Sequence, residues 1–408
     1  MTAPARQGPL ADLRVIDLST ILAGPSATRR LADFGADVIK VERVDEPDGA
    51  RLLGDLDGGD GYHWRHVGRN KRPIQLDLKQ EAGRAVLLRL VADSDVLVEN
   101  FRPGALERLG LDPETVLLAA NPRLVVLRVT GFGQDGPYAD RAGFGTIAEA
   151  MSTLAHATGE RDGPPTLPPI ALADETAGAL SAFAVLAALR HRDRTGEGQV
   201  IDASLLESML EIVGPGAAIA DRTGVVEGRD GSRLRFAAPR NVYACADGWI
   251  CLSGSSDAVA KRILRVVGGE ALEQDPRFAA NAERLAHVDE LDALIAEWAR
   301  VRPWRDAVAA LTAAGAAAGP VYDAAQLIAD EHVVARGSLT RVPNPDGAGD
   351  LLQPAIAPRL SRTPGAIRHA GLAQGAKTAE VLRELGYTEA EIEQLAADGV
   401  VGGLPAND

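Results

Sequence analysis

A chain of 408 residues with 46% apolar and 25% charged residues has material for two or three globular domains and needs no disulfide staple. Its net charge of −14 excludes a general affinity for nucleic acid, which needs a basic face, but not an anionic small molecule held by a local Arg/Lys cluster. Residues 1–10 lack a basic-then-apolar leader, and no run of about 18 unbroken apolar residues is present, so neither export nor a membrane span is expected. Cys245 and Cys251 have no metal-ligand spacing and read as reduced thiols in the cytoplasm.

In chain order, residues 13–18 form a short apolar strand that Ala23-Gly24-Pro25 breaks. Residues 26–34 then read as a helix and 37–43 as a second strand. This is a βαβ unit, expected to be parallel and right-handed. Its first turn has no Gly-x-Gly-x-x-Gly, so no nicotinamide or flavin cofactor is expected. Residues 45–69, rich in Gly and Asp, read as a long loop. Its Tyr62, His63, Trp64 and His66 fit either a pocket wall or a self-packed surface loop. Strands follow at 73–78, 95–101 and 124–130, with helices at 80–92, 105–109 and 113–119 between them. Such alternation defines an α/β domain with a mainly parallel sheet.

Residues 168–173 read as an apolar strand, and Asp174 stands where it gives way to an Ala/Leu-rich helix. A carboxylate there can cap the helix, or it can be a nucleophile presented beyond the strand ends. Residues 180–189 are apolar all round and read as a buried helix too short to span a bilayer, followed by a strand at 199–205. Residues 214–239 look like a crossing linker. A hairpin around Asp247-Gly248, helices at 258–267, 281–301 and 304–314, and a strand at 319–322 form a smaller α+β domain. Residues 341–360 are strand-like pieces broken by prolines. Terminal helices cover 377–385 and 388–397, the second with a Thr388/Glu391 capping box. Arg43, Lys79, Asn100, Arg102, Arg108 and Arg141 all follow strand ends. In a parallel sheet these ends share one side, so together they outline an anion site, although any one alone is an ordinary surface group.

The chain resembles the family III (CaiB/BaiF-type) coenzyme A transferases, which include formyl-CoA transferase and the related α-methylacyl-CoA racemases. The resemblance runs over nearly the whole length. It is carried by Leu13-Arg14-Val15-Ile16-Asp17-Leu18 with Ala23-Gly24-Pro25, by Gly35-Ala36-Asp37-Val38-Ile39-Lys40-Val41-Glu42, and by Asn70-Lys71-Arg72 with Leu76-Asp77-Leu78-Lys79. The most specific part is Asp95-Val96-Leu97-Val98-Glu99-Asn100-Phe101-Arg102-Pro103-Gly104. Thr195-Gly196-Glu197-Gly198-Gln199 and Glu384-Leu385-Gly386-Tyr387 complete it.

The resemblance implies a Rossmann-like large domain (1–213), a linker (214–240), a small α+β domain (241–325) and a return segment (326–408) packing on the large domain, in an interlocked homodimer. It also implies CoA contacts at Leu22, Ala23, Arg43, Leu76, Lys79, Asn100, Phe101, Arg102, Arg108 and Arg141, and a catalytic carboxylate at Asp174. The partners it implies are an acyl-CoA and a carboxylic acid, with the thioester as substrate and no separate cofactor. An ordinary Asp, with a pKa of about 3.9, would be anionic and ready to attack a thioester. Oxyanion donors are expected from the helix start at residues 175–177 or from a glycine loop. The alternative is α-proton abstraction by a racemase. That branch pairs the Asp with a His after Arg-Ala-Gly, and this chain has Phe144 after Arg141-Ala142-Gly143, which carries no proton. The glycine-rich loop of formyl-CoA transferase has no counterpart in residues 234–253, which points to a larger dicarboxylic or branched acyl group.

Overall fold

The structure, a computed structural model, describes residues 7–57, 59–345 and 349–404. It divides into two compact units. One runs to Ser152 and adds Pro168–Gly214 and everything from Gly337 on; the other is Thr153–Leu167 with Pro215–Arg336.

In the first unit, Val- and Ile-rich runs make β1 (Arg14–Asp17), β2 (Asp37–Glu42), β3 (Arg72–Leu76), β4 (Val96–Glu99), β5 (Val125–Thr130) and β6 (Gln199–Ser204). With β7 (Val401–Gly402) they form one sheet in the spatial order β7-β3-β2-β1-β4-β5-β6. Every neighbouring pair is parallel except β7 on β3. The expected α/β class with a mainly parallel sheet is therefore what the chain adopts. The strand order reverses between β1 and β4, and such a reversal opens a crevice at the strands' carboxyl ends. β2, β4 and β5 are buried at every position, as a parallel sheet covered on both faces requires. Ile16, Ile39, Leu97 and Val126 share one core with Val381 and Ile392 from the last two helices and with Val400, which follows them. The capping box at Thr388 and Glu391 is formed.

Charges inside this sheet are paired, as burial demands. Lys40 lies 2.9 Å from Asp48, Lys71 lies 2.9 Å from Asp17, and Glu42 holds Arg51 at 2.7 Å.

Several expectations need correction. Helix α1 (Ala23–Asp33) begins at Ala23, so Ala23-Gly24-Pro25 is its first turn. Proline is tolerated there because the first N–H groups of a helix have no partner to lose. Residues 45–69 are not one loop: they hold a 3-10 turn (Gly49–Leu52), a short strand pair and a helix (Tyr62–Val67). Trp64 anchors them, fully buried under the Arg51 guanidinium at 3.7 Å and donating to the Leu372 carbonyl. That partner is 308 residues away, which is why no local pattern announced it. After α2 (Gly145–Met151), no strand precedes α3 (Leu172–Thr195), and residues 168–171 are irregular. At 24 residues α3 is, by length and composition, long and apolar enough to cross a membrane, unlike the short segment expected. One face, including Ala177, Gly178 and Ser181, packs on α1, while Phe183 is 71% exposed. Residues 214–239 include a helix (Gly216–Thr223).

The second unit carries the antiparallel sheet Ala318–Pro320, Trp249–Ser253, Arg240–Ala244, with the expected hairpin between the last two. Helices Asp257–Glu273, Val288–Arg300 and Trp304–Ala313 close a core of Tyr243, Ile250, Ile263, Phe278, Ile295 and Trp298 around it.

Candidate active site

At the carboxyl ends of β1, β2 and β3 lies a cavity of about 710 Å³. Arg43, Leu76, Lys79, Phe101, Arg102 and Arg108 line it, so four of the residues expected at an anion site, with two more of the contacts that the resemblance implies, converge on one space. Each is placed by a strand end: Arg43 follows β2, Leu76 ends β3, and Phe101 and Arg102 follow β4. Gly104, at φ 77°, turns the chain toward Arg108. That left-handed conformation is what favours glycine there.

The cavity is not simply basic. Arg43 donates to both Asp45 oxygens and to Glu46, at 2.7–2.8 Å, and Asp45 lies 3.8 Å from Lys79. Glu46 and Asp77 line the same wall. Arg43 and Lys79 are thus engaged by chain carboxylates.

Four expected residues are not in the lining. Leu22 is half-buried, and Ala23 is the buried first residue of α1, whose N-terminus carries no side-chain cap. Asn100 spends its amide on the Thr20 backbone. Arg141 stacks on the Tyr138 ring at 3.5 Å.

Asp174 is also outside that lining, at the third position of α3. It makes no cap: Ala171 is the N-cap, without a side-chain bond. The half-buried carboxylate instead presses on the first residue of α2, where a Cβ on Gly145 would stand 2.3 Å from Oδ2. Buried Glu149, on α2, accepts the Ala173 N–H at 3.0 Å and so fixes the start of α3 beside it. Among the described residues no cation pairs with Asp174. Burial, then Glu149, then Glu175 push its carboxyl up to about 6. Glu175 goes the other way: burial pushes it up, but Arg30, Ser26 and Arg29 outweigh this and hold it below the usual range.

The head of α3 is tied to α1. Glu175 accepts from Arg30 and Ser26 at 2.8 Å, and a Cβ on Gly178 would stand 2.7 Å from that of Ser26. Asp174 is thereby registered to the helix that leaves the β1 crevice. The oxyanion donors expected at residues 175–177 are not free there, since these residues are inside the helix and the Glu175 N–H is bonded to the Ala171 carbonyl.

Sequence reasoning missed Lys40, Asp48, Glu149 and Gly145. Lys40 left a signal, a lysine amid Val and Ile in a strand too apolar to have a wet face. Glu149 and Gly145 left none, because their role comes from the packing of α2 on α3.

The model of the family described as CoA-transferase family III matches residues 10–377. The chain is 40% identical over 396 residues to succinyl-CoA–D-citramalate CoA-transferase of Chloroflexus aurantiacus, covering 96% of this chain and 98% of that protein. It is 38% identical over 398 residues to the succinyl-CoA–L-malate CoA-transferase beta subunit of the same organism, with 96% and 98% covered. Its fold is similar to the crystal structure of a CAIB/BAIF family protein from Brucella suis, with a TM-score of 0.82 and 34% identity over 93% of this chain and 100% of that one.

Proposed function

We propose, for a chain that belongs to CoA-transferase family III and so moves CoA between an acyl-CoA and an acid, that the donor is succinyl-CoA, the acceptor a second small dicarboxylic acid, and the covalent relay Asp174. The observation that carries the relay is the environment of Asp174. A site that is half-buried, flanked by two carboxylates and without a cation penalises the anion. The same penalty favours any step that turns the carboxylate into a neutral anhydride or thioester. A carboxylate with a raised pKa is also the more basic nucleophile.

In the proposed sequence, an Asp174 oxygen attacks the thioester carbonyl. The C–S bond breaks, CoA leaves as the thiolate, and a mixed anhydride remains. The thiolate then attacks the Asp174 carbonyl, releasing the donor acid as its carboxylate and leaving an aspartyl thioester. The acceptor carboxylate attacks that thioester to give a second anhydride and free thiolate. Attack of the thiolate on the acceptor's acyl carbon yields the new acyl-CoA and restores Asp174. The CoA is held in the cavity by Arg43, Lys79, Arg102 and Arg108, whose charges suit its phosphates, with Leu76 and Phe101 as apolar walls. Leu22, Ala23 and Arg141 complete the proposed contact set, while Asn100 contributes through the Thr20 backbone that it binds. No other cofactor is invoked, and we place the enzyme in the cytoplasm as an interlocked homodimer. The exposed apolar side chains of α3, Phe183 and Leu186, support a partner copy there.

The racemase reading is not favoured, because Phe144 stands where the second proton carrier is needed and is 68% exposed. The test is to mix the protein with succinyl-CoA, trap with hydroxylamine or borohydride, and map the modified peptide. Modification of Asp174 supports the relay, while turnover with modification elsewhere or none discards it. Exchange of the α-proton with solvent deuterium, without transfer, would restore the racemase.

The acid limb of the pH–rate profile should follow Asp174, with kcat/KM rising through about pH 6 as the carboxylate forms. Glu149→Gln keeps an acceptor for the Ala173 N–H but removes one of the two flanking charges. The limb should move to lower pH, by about 0.5–1 unit. An unmoved limb in that variant would assign it to another group.

A further inference from the structure

The turn after β1 is gripped at each of its three residues. The Ser19 N–H and hydroxyl donate to Asp17 Oδ1, and the Ser19 carbonyl accepts from Lys40 Nζ. Thr20 is bound twice by one side chain: its N–H donates to Asn100 Oδ1 and its carbonyl accepts from Asn100 Nδ2, both at 2.8 Å. The Ile21 N–H donates to Asp48 Oδ1 at 3.0 Å, and the same oxygen takes the Ala50 N–H. Asp48 is in turn paired with Lys40. Both are buried, and Lys40 stays charged because Asp48, Asp17 and Glu42 outweigh the downward push of burial.

What this grip holds is unusual. Ile21 has φ 69°, a left-handed conformation that a β-branched residue adopts only when its surroundings over-determine it. Its side chain lies against Gly49, where a Cβ would stand 2.4 Å from Cδ1. Thr20, Ile21, Lys40, Asp48 and Gly49 all line the 710 Å³ cavity. Asn100 follows β4 and Thr20 follows β1, so their paired bonds bridge the two strands between which the sheet order reverses.

We infer that Asn100, Lys40 and Asp48 are positioning residues that hold the turn at residues 19–21 in its left-handed form and so give the CoA cavity its wall. Asn100 acts through Thr20, with its carboxamide committed to backbone. Released from the grip, Ile21 relaxes to negative φ, the Thr20 peptide turns, and the wall moves. The inference rests on the reading of the cavity as the CoA site.

The test uses the full-length protein, coenzyme A alone as probe, and two readouts. Titration calorimetry gives the Kd. Amide hydrogen exchange without ligand follows a peptide covering residues 18–22. In Asn100→Ala we expect that peptide to exchange about tenfold faster and the Kd to rise about tenfold, the loss expected for a part-buried pair of hydrogen bonds. Asn100→Asp, equal in size but with no donor for the Thr20 carbonyl, should do the same and serves if the truncation unfolds. A raised Kd with unchanged exchange would make Asn100 a direct ligand and overturn the inference. Faster exchange with an unchanged Kd would also overturn it, since the turn would then not shape the site. If wild type itself fails to bind CoA, the cavity assignment falls and takes the inference with it.

Discussion

Asp174→Asn should lower kcat by about 10³-fold or more while leaving a protein that is more stable at pH 8 than wild type. The first half follows from the proposed relay, which would lose its attacking oxygen anion. The second follows from the carboxyl's pKa near 6. A carboxyl whose folded-state pKa is raised contributes no penalty at low pH, where it is protonated folded or unfolded. The penalty grows as pH rises through the unfolded value and is complete above about 6. The amide removes it. With a discount for partial exposure the gain is roughly 1–2 kcal/mol, a rise in Tm of about 1–2 °C at pH 8 that shrinks toward pH 4. Thermal melts at the two pH values check this. An inactive variant with no pH-dependent gain would mean that Asp174 is not the strained group described.

Lys71→Met should lower stability by about 3–5 kcal/mol. Lys71 is fully buried and donates to Asp17 and to the Pro25 carbonyl, joining β1 to the first turn of α1. In wild type, burial pushes Asp17 up, but Lys71, Lys40 and Ser19 outweigh it and keep it below its ordinary range. With Lys71 gone, burial dominates and Asp17 is driven upward. Such a group is tolerated when protonated and costly when charged, so the variant's deficit should grow as pH rises and narrow on acidification toward pH 5. Urea midpoints at pH 5 and 8 measure this. Adding Asp17→Asn should recover much of the loss at pH 8, because no uncompensated charge remains. A deficit independent of pH in both variants would point to lost packing of the lysine stem instead.

The sheet and its helices were legible because each strand is a short run of Val, Ile and Leu closed by a polar turn, and parallel strands buried on both faces read continuously. The cavity residues were legible for a related reason: Arg43, Lys79, Arg102 and Arg108 all trail strand ends, which share one side. What local pattern could not show was commitment. Arg43 is tied to Asp45 and Glu46, Arg141 lies on Tyr138, and Asn100 is spent on Thr20, none of which spacing reveals. Asp174 was singled out correctly as a carboxylate at a helix start, but its ionic character was read from an ordinary pKa. The correction depends on Glu149 and Gly145, brought beside it by the packing of α2 on α3. Residues 45–69 failed as a loop because Trp64 finds its partner at Leu372.

The pairing of β7 with β3 has a consequence for how the molecule comes into being. β3 and the residue after it, Asp77, are bonded to Val401, Gly402 and Val400, on the order of three hundred positions later. While the protein is being synthesised, that side of β3 stays an unpaired apolar edge, the kind of surface that recruits other unfinished chains. Leu76 and Lys79, at and just beyond this edge, are also cavity wall. The cavity wall is therefore finished late, and a prematurely terminated chain would be sticky and would lack the strand that completes this wall's edge.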